Sequence, residues 1–352
     1  MISLQSKIRI MANSTQVSYF TLAAYFDIGC FKYLYFIIIM SLYVLIIFSN
    51  VLLIVVICVN RSLHEPMYIF LCSLFVNDLY GSTGLFPFLL VQILSDIHTV
   101  SAPFCFLQVF CLHTYVCTEF TNLAVISYDR YLSICHPLQY NTRMTTNKTV
   151  LFIALSWLYS FLNIVTIISL IIPLQLCGNI INKVYCLNYP IVKLACSDTR
   201  VNNIYGLFST FLTVFGPLSL ILYTYVKILK VCLSGSKQTR QKAVSTCTPH
   251  LASLINFSFA VCFEILSSRF DMRGVHNMLQ IVLSLYFLTC QPLFNPVIYG
   301  LKLSKIHTTC SIAESDKRGG AHLRDKAGVE SSVSGGTRKP QRPCASQPLE
   351  SR

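Results

Sequence analysis

Two carboxylates stand in runs that are otherwise mostly apolar: Asp78 in LFVNDLYG and Glu119 in VCTEFTNL. A charged group at bilayer depth costs about 2.5–3.5 kcal/mol on insertion scales, so each calls for a chemical reason. Neither acid has a lysine or arginine at similar depth in its own or a neighbouring run. Facing one interior, with Asn50 and Asn295 at compatible depths, the pair suits a small cation or a shared proton. The plainer alternative is one protonated acid hydrogen-bonded to neighbouring helices. A second group closes the run FTNLAVI, where SYDRYLSICHPLQY (127–140) sets Asp129, Arg130 and Tyr131 side by side. An arginine at such an edge can snorkel to water or pair with its neighbour. The triplet is therefore a boundary marker, a structural ion pair or a switch that a partner protein reads. A third group is PLFNPVIY (292–299). Pro296 lacks an N–H and clashes with the preceding turn, which kinks a helix and frees a carbonyl. Asn295 can satisfy such a group, and the kink carries Tyr299 toward the face that holds Asp129.

The elements that position these groups follow from composition. The chain has 352 residues, 54% of them hydrophobic and 12% charged, against about 25% charged in soluble domains. Seven mostly apolar stretches, 33–59, 67–94, 104–126, 150–172, 204–229, 243–266 and 275–299, each have the length that crosses a hydrocarbon core about 30 Å thick. Seven in series with short polar connections predict an all-α membrane protein, a seven-transmembrane helix bundle, and argue against a soluble enzyme. The connections after spans one, three and five hold Arg61, Arg130, Arg143, Lys148, Lys230, Lys237, Arg240 and Lys242 against two acids, Glu65 and Asp129. That bias favours an extracellular N-terminus and a plasma-membrane, multi-pass chain. The net charge of +13 reads as membrane topology and not as nucleic-acid binding.

Four Asn-x-Ser/Thr triplets occur, at Asn13, Asn60, Asn147 and Asn256. Only Asn13 lies where a glycan could be attached in this topology. No cleavable signal peptide is visible, because the first 30 residues lack a continuous apolar core. Among the 16 cysteines, Cys105, Cys177, Cys186 and Cys196 fall on the oxidising side. Four cysteines allow three pairings, and spacing does not choose among them. A zinc site lacks histidines at ligand spacing. The chain divides into an N-terminal segment 1–32, in which residues before Met11 read as an upstream extension, a membrane domain 33–306, and a tail 307–352. The tail is too polar to build a core and is expected to be disordered, either as a regulatory segment or as foreign sequence joined by a gene-model error.

Taken together, these motifs resemble the rhodopsin-like G-protein-coupled receptors, and among them the olfactory receptors. LHEPMY (63–68) is similar to the family's LHxPMY, SYDRYLSICHPLQY to MAYDRYxAICxPLxY, KAVSTCTPHL (242–251) to KAxSTCxSHL, and PLFNPVIY to PxLNPxIY. CSDT (196–199) fits the family's three-cysteine loop. The resemblance implies disulfides Cys105–Cys186 and Cys177–Cys196, and a short cytoplasmic helix 8 after span seven. It implies that Asp129 holds Arg130 in the resting state and that Arg130 meets the G protein when span six swings out. Tyr225 and Tyr299 would stabilise that open form. Asp78 and Glu119 match the family's sodium-site acids, so a bound sodium ion is the one cofactor it suggests. Coupling to a stimulatory, olfactory-type G protein, and so to cAMP, is the implied output. Span one carries Ser49-Asn50 where the family has Gly-Asn, and span six carries Phe257-Ser258-Phe259 where it has FYG. These variants look more like fish-type odorant receptors than mammalian ones.

A ligand pocket is expected between spans three, five, six and seven. Counting helical turns from Cys105 brings Leu112, His113, Val116 and Cys117 inward on span three. Family alignment adds Ser209, Thr210 and Thr213 on span five and Ser258, Val261, Cys262 and Ile265 on span six. It also adds Leu285 and Thr289 on span seven. Such a lining suits a small, neutral or weakly polar molecule held mainly by burial. His113 either reads a polar group or packs against neighbouring helices. No lysine occurs from 275 to 299 to carry a retinal Schiff base. Leu112 stands where amine receptors of this class carry an acid, and Glu119 lies about two turns too deep to replace it. The chain shows no internal repeat of the transporter kind and no nucleophile-and-base pattern of an enzyme.

Overall fold

The computed structural model describes residues 17–25, 31–270 and 282–300, apart from the side chains at 239 and 242. Asn13, the start of the seventh stretch (275–281), helix 8 and the tail 307–352 lie outside the described residues. Within them, seven helices are long and apolar enough to cross a membrane: α1 Lys32–Val59, α2 Pro66–Leu94, α3 Ala102–Cys135, α4 Thr146–Ile171, α5 Arg200–Ser234, α6 Lys237–Arg269 and α7 Val282–Gly300. α2 and α3 begin with proline in the first turn, where the missing N–H costs nothing. The Thr145 hydroxyl accepts from the Lys148 amide to start α4.

The bundle is apolar outside and polar inside. Phe48 is 63% exposed, Leu162 60% and Ile204 70%, while Asn50, Asn77, Asp78, Glu119 and Asn295 are all 0% exposed. Water would favour the reverse arrangement; hydrocarbon favours this one. Helices α2 and α3 approach closely because Gly81 and Gly84 present no side chain to the neighbour. A Cβ at Gly81 would stand 2.6 Å from Tyr115 Cδ2, and one at Gly84 2.8 Å from Cys111 Cβ. α5 contains a π-helical turn, Phe211–Phe215, a device that turns side chains out of the regular helical register. Here it leaves Thr213 and Val214 buried beside exposed Phe211 and Phe215.

One feature departs from an all-helical reading. Strand β1 (Tyr19–Leu22) lies between β2 (Thr99–Ser101) and β3 (Ile180–Ile181), antiparallel to the first and parallel to the second. Its alternate residues Phe20 and Leu22 are fully buried, which is what a half-buried strand requires. The sheet ties the N-terminal segment to the α2–α3 connection and to the long connection after α4. The Tyr25 hydroxyl adds a bond to the Val184 carbonyl at 2.7 Å.

The long connection after α4 is pinned twice, by disulfides Cys105–Cys186 and Cys177–Cys196. The first fastens it to the start of α3, where the Gln108 side chain also accepts from the Cys186 amide at 3.0 Å. Both pairings coincide with those the family resemblance implies.

Candidate functional site

Three groups of residues occupy the bundle from one end to the other. At the end bearing the sheet, a cavity of about 930 Å³, its open mouth included, lies between α3, α5, α6 and α7. Leu112, His113, Val116, Thr210, Thr213, Val261 and Ile265 line it, as the sequence suggested. Cys117, Ser209, Ser258, Leu285 and Thr289 do not. The α6 lining runs Val261, Glu264, Ile265, Ser268, Arg269, so the cavity sits about one turn nearer the sheet than the residue types implied. Cys262 does not line it either, and is exposed. One residue on from buried Val261, a helix has turned by about 100°.

Leu187, Asn188 and Tyr189 of the long connection also face the cavity, a contribution that span-by-span counting misses. So does Glu264, a third acid in the bundle. Its Oε1 accepts from Lys183 Nζ at 2.8 Å, and side-chain exposures of 10% and 7% make this a buried ion pair. Lys183 Nζ also donates to Ser267 Oγ at 2.6 Å, and Ser284 Oγ of α7 donates to Glu264 Oε2 at 3.4 Å. The pair thus joins the connection to α6 and α7. Burial, and after it the Glu264 charge, pushes the pKa of the neighbouring Tyr185 well above the usual tyrosine value; that phenol stays protonated.

Mid-bundle, the two acids meet through amides. Asn295 Nδ2 donates to Asp78 Oδ2 at 2.9 Å and to Glu119 Oε1 at 3.0 Å. Gln291 Nε2 donates to Glu119 Oε1 at 3.1 Å, and Asn77 Nδ2 to Glu119 Oε2 at 2.9 Å. Ser253 of α6 joins by donating to Asn295 Oδ1 at 2.8 Å, and Asn256 Nδ2 donates to Gln291 Oε1 at 2.9 Å. Asn50 also braces the kink of α7. Its Nδ2 donates to the Pro292 carbonyl at 2.9 Å, the group left without a partner four residues before Pro296. Asn50 therefore satisfies the carbonyl that Pro296 frees, and Asn295 is left to bridge the acids.

Three oxygens in this region, Asn50 Oδ1, Asn77 Oδ1 and Asp78 Oδ1, are buried without a hydrogen-bond donor among the described residues. Hard oxygen donors with no proton to accept are the chemistry an alkali cation requires. The residues present therefore fit a sodium ion.

At the far end of α3, Asp129 Oδ2 accepts from Arg130 Nε at 3.1 Å and from its terminal guanidinium nitrogen, while Asp129 Oδ1 accepts from the Tyr140 hydroxyl at 2.7 Å. Asp129 is fully buried and Arg130 is 9% exposed, so this is an enclosed ion pair and not a solvated boundary charge. Tyr131 bonds His136 at 3.0 Å and packs with Tyr225 against Ile228, Cys232, Ala243 and Cys247. His250, in KAVSTCTPHL, also joins this end of the bundle. Its Nε2 lies 2.8 Å from the Leu123 carbonyl, which only accepts, so Nε2 carries the proton and Nδ1 accepts from the Tyr225 hydroxyl at 2.8 Å. This one ring holds α3, α5 and α6 together. Tyr299 is buried, and its hydroxyl has no hydrogen-bond partner among the described residues.

A seven-helix membrane bundle with a cavity at one end and a buried acid–arginine pair at the other defines a class, and the fold agrees. The crystal structure of squid rhodopsin matches with a TM-score of 0.62 over 79% of this chain and 81% of that one, at 18% identity. The family follows from sequence: residues 39–317 match the olfactory receptor family model. Olfactory receptor 11A1 of Homo sapiens is 34% identical over 85% of this chain and 94% of its own length. Olfactory receptor 6E1 of Mus musculus is 34% identical over 84% and 95%, and olfactory receptor 51E1 of Homo sapiens 34% over 76% and 84%. The chain belongs to the olfactory receptor family of G-protein-coupled receptors; it is a multi-pass membrane protein and a receptor, not an enzyme.

Proposed function

We propose that this receptor holds a small, neutral or weakly polar odorant in the cavity between α3, α5, α6 and α7. Occupancy would release Arg130 from Asp129 to engage a stimulatory, olfactory-type G protein and raise cAMP. The N-terminus and cavity mouth then face the extracellular medium at the plasma membrane, and Arg130 faces the cytosol. Asn13 is the glycan acceptor in that topology. A sodium ion held by Asp78, with Asn50 and Asn77 oxygens near the same depth, would supply positive charge beside the two acids.

The observation that carries this reading is the single helix α3. It presents Leu112, His113 and Val116 to the cavity, Glu119 to the amide network and Asp129–Arg130 to the opposite end. Movement of α6 or α7 at the cavity disturbs bonds that end on α3: Asn295 to Glu119, and His250 to Leu123. The apolar cavity wall favours burial at about 25 cal/mol per Å², enough for a small molecule without a charged anchor.

An odorant panel applied to cells carrying the receptor and an olfactory G protein is expected to raise cAMP for some members. Arg130→Ala should abolish every such response in cells where surface staining shows the variant delivered. Responses that persist in that variant would remove Arg130 from the coupling role.

A further inference from the structure

A polar cluster behind the wall of the proposed pocket determines, through its hydrogen bonds, what the pocket can offer a ligand. Asn163 of α4 is buried, at 7% exposure, and lies behind the cavity wall. Its Oδ1 accepts from the Ser209 hydroxyl at 3.0 Å and the Tyr205 hydroxyl at 3.1 Å, both on α5. A phenol donates more readily than it accepts, which fixes the amide orientation. The Nδ2 end therefore points to His113 Nε2 at 3.2 Å, with Thr213 Oγ1 at 3.5 Å and Cys117 Sγ at 3.6 Å.

An amide N–H donates only, so His113 Nε2 must accept. A neutral imidazole carries one proton, and with Nε2 accepting, that proton is on Nδ1. His113 lines the cavity, and Nδ1 has no partner among the described residues. Other polar groups along this deep wall are already engaged. Thr210 donates to the Gly206 carbonyl at 2.8 Å, and the Thr213 hydroxyl is shared with Tyr159 at 2.9 Å and with Asn163.

We propose that Asn163 is a positioning residue that sets His113 as a hydrogen-bond donor to the cavity. The receptor thereby selects small apolar molecules bearing a carbonyl or ether oxygen over hydrocarbons of the same shape. This rests on the cavity being the ligand site, as proposed above, but not on which G protein the receptor engages.

The test is binding to the purified receptor in lipid nanodiscs, read by ligand-induced thermal stabilisation, so that G-protein coupling plays no part. The probes are medium-chain methyl ketones, each beside the isosteric 2-methyl-1-alkene in which CH2 replaces the oxygen. Ketones are expected to bind about tenfold more tightly than their alkenes, the worth of one hydrogen bond in a dry site. His113→Phe should erase that ratio. Asn163→Asp offers an acceptor to Nε2 and draws the proton there, so it too should abolish the ketone preference. A merely structural role for Asn163 would weaken both members of each pair alike. A nitrogen-15 spectrum of His113 gives a second readout that needs no ligand: protonated Nδ1 in the native receptor, protonated Nε2 in Asn163→Asp. Equal binding of ketone and alkene, no binding by any ketone, or a native spectrum with the proton on Nε2 would each overturn the proposal. A failure of cAMP signalling with the ketone ratio intact would count against the coupling assignment alone.

Discussion

Replacing Lys183 with methionine is expected to destabilise the receptor by about 3–5 kcal/mol, because Glu264 would be left charged and buried without its cation. The two side chains are almost fully enclosed and 2.8 Å apart. Lys183 donates as well to Ser267, and Glu264 accepts from Ser284, so removing Lys183 strands Glu264 and Ser267 on α6, and removing Glu264 strands Lys183 and Ser284. Glu264→Gln alone should do comparable harm, stranding the ammonium. The double variant Lys183→Met with Glu264→Gln should recover most of the loss, since neither charge remains to be desolvated. Thermal unfolding of the purified receptor, with surface delivery as a second readout, separates the cases. Losses that simply add in the double variant would mean that the two residues do not act as a pair.

The other large effect is expected at Glu119. Its two oxygens accept from Asn77, Gln291 and Asn295, and Glu119→Leu would leave amides on α2 and α7 short of acceptors in a medium that offers none. Charge-assisted hydrogen bonds are worth about 1.5–3 kcal/mol each, but each donor keeps another partner: Asn77 bonds the Tyr115 carbonyl, Gln291 the Ser253 hydroxyl and Asn295 the Asp78 carboxylate. A net loss of about 3 kcal/mol follows. Glu119→Gln keeps one acceptor oxygen and should lose less. If sodium binds here, its addition in place of a bulky organic cation should raise the unfolding temperature of the native receptor, and Asp78→Asn should remove that response. A Glu119→Leu receptor as stable as the native one would show that the amide network contributes nothing to the bundle.

The seven spans were legible because long apolar runs are the strongest signal a membrane chain carries. Their ends were less so: α3 continues through Asp129 and Arg130 to Cys135, and α6 begins at Lys237, polar extensions that hydropathy cannot see. Charged residues announced themselves by cost, so Asp78, Glu119 and Arg130 stood out. Uncharged polar residues did not. Asn163, His250, Ser253, Asn256 and Gln291 insert cheaply enough to leave little trace, yet each joins helices distant in sequence. The Lys183–Glu264 pair was hidden for another reason. Its partners are 81 residues apart, and Glu264, near the end of the sixth stretch, meets its lysine only when the connection after α4 folds back over the bundle. The small sheet was missed likewise, because its three strands come from the N-terminal segment and two separate connections, and none is long enough to show alternation.

Orientation underlies every functional assignment made above, since it decides which end of α3 meets odorant and which meets the G protein. The most direct measurement places one epitope tag beside Asn13 and another between Tyr140 and Thr145, and stains cells before and after permeabilisation. The account predicts that the first tag is reached on intact cells and the second only once the membrane is opened. Staining of the Tyr140–Thr145 tag on intact cells would contradict it.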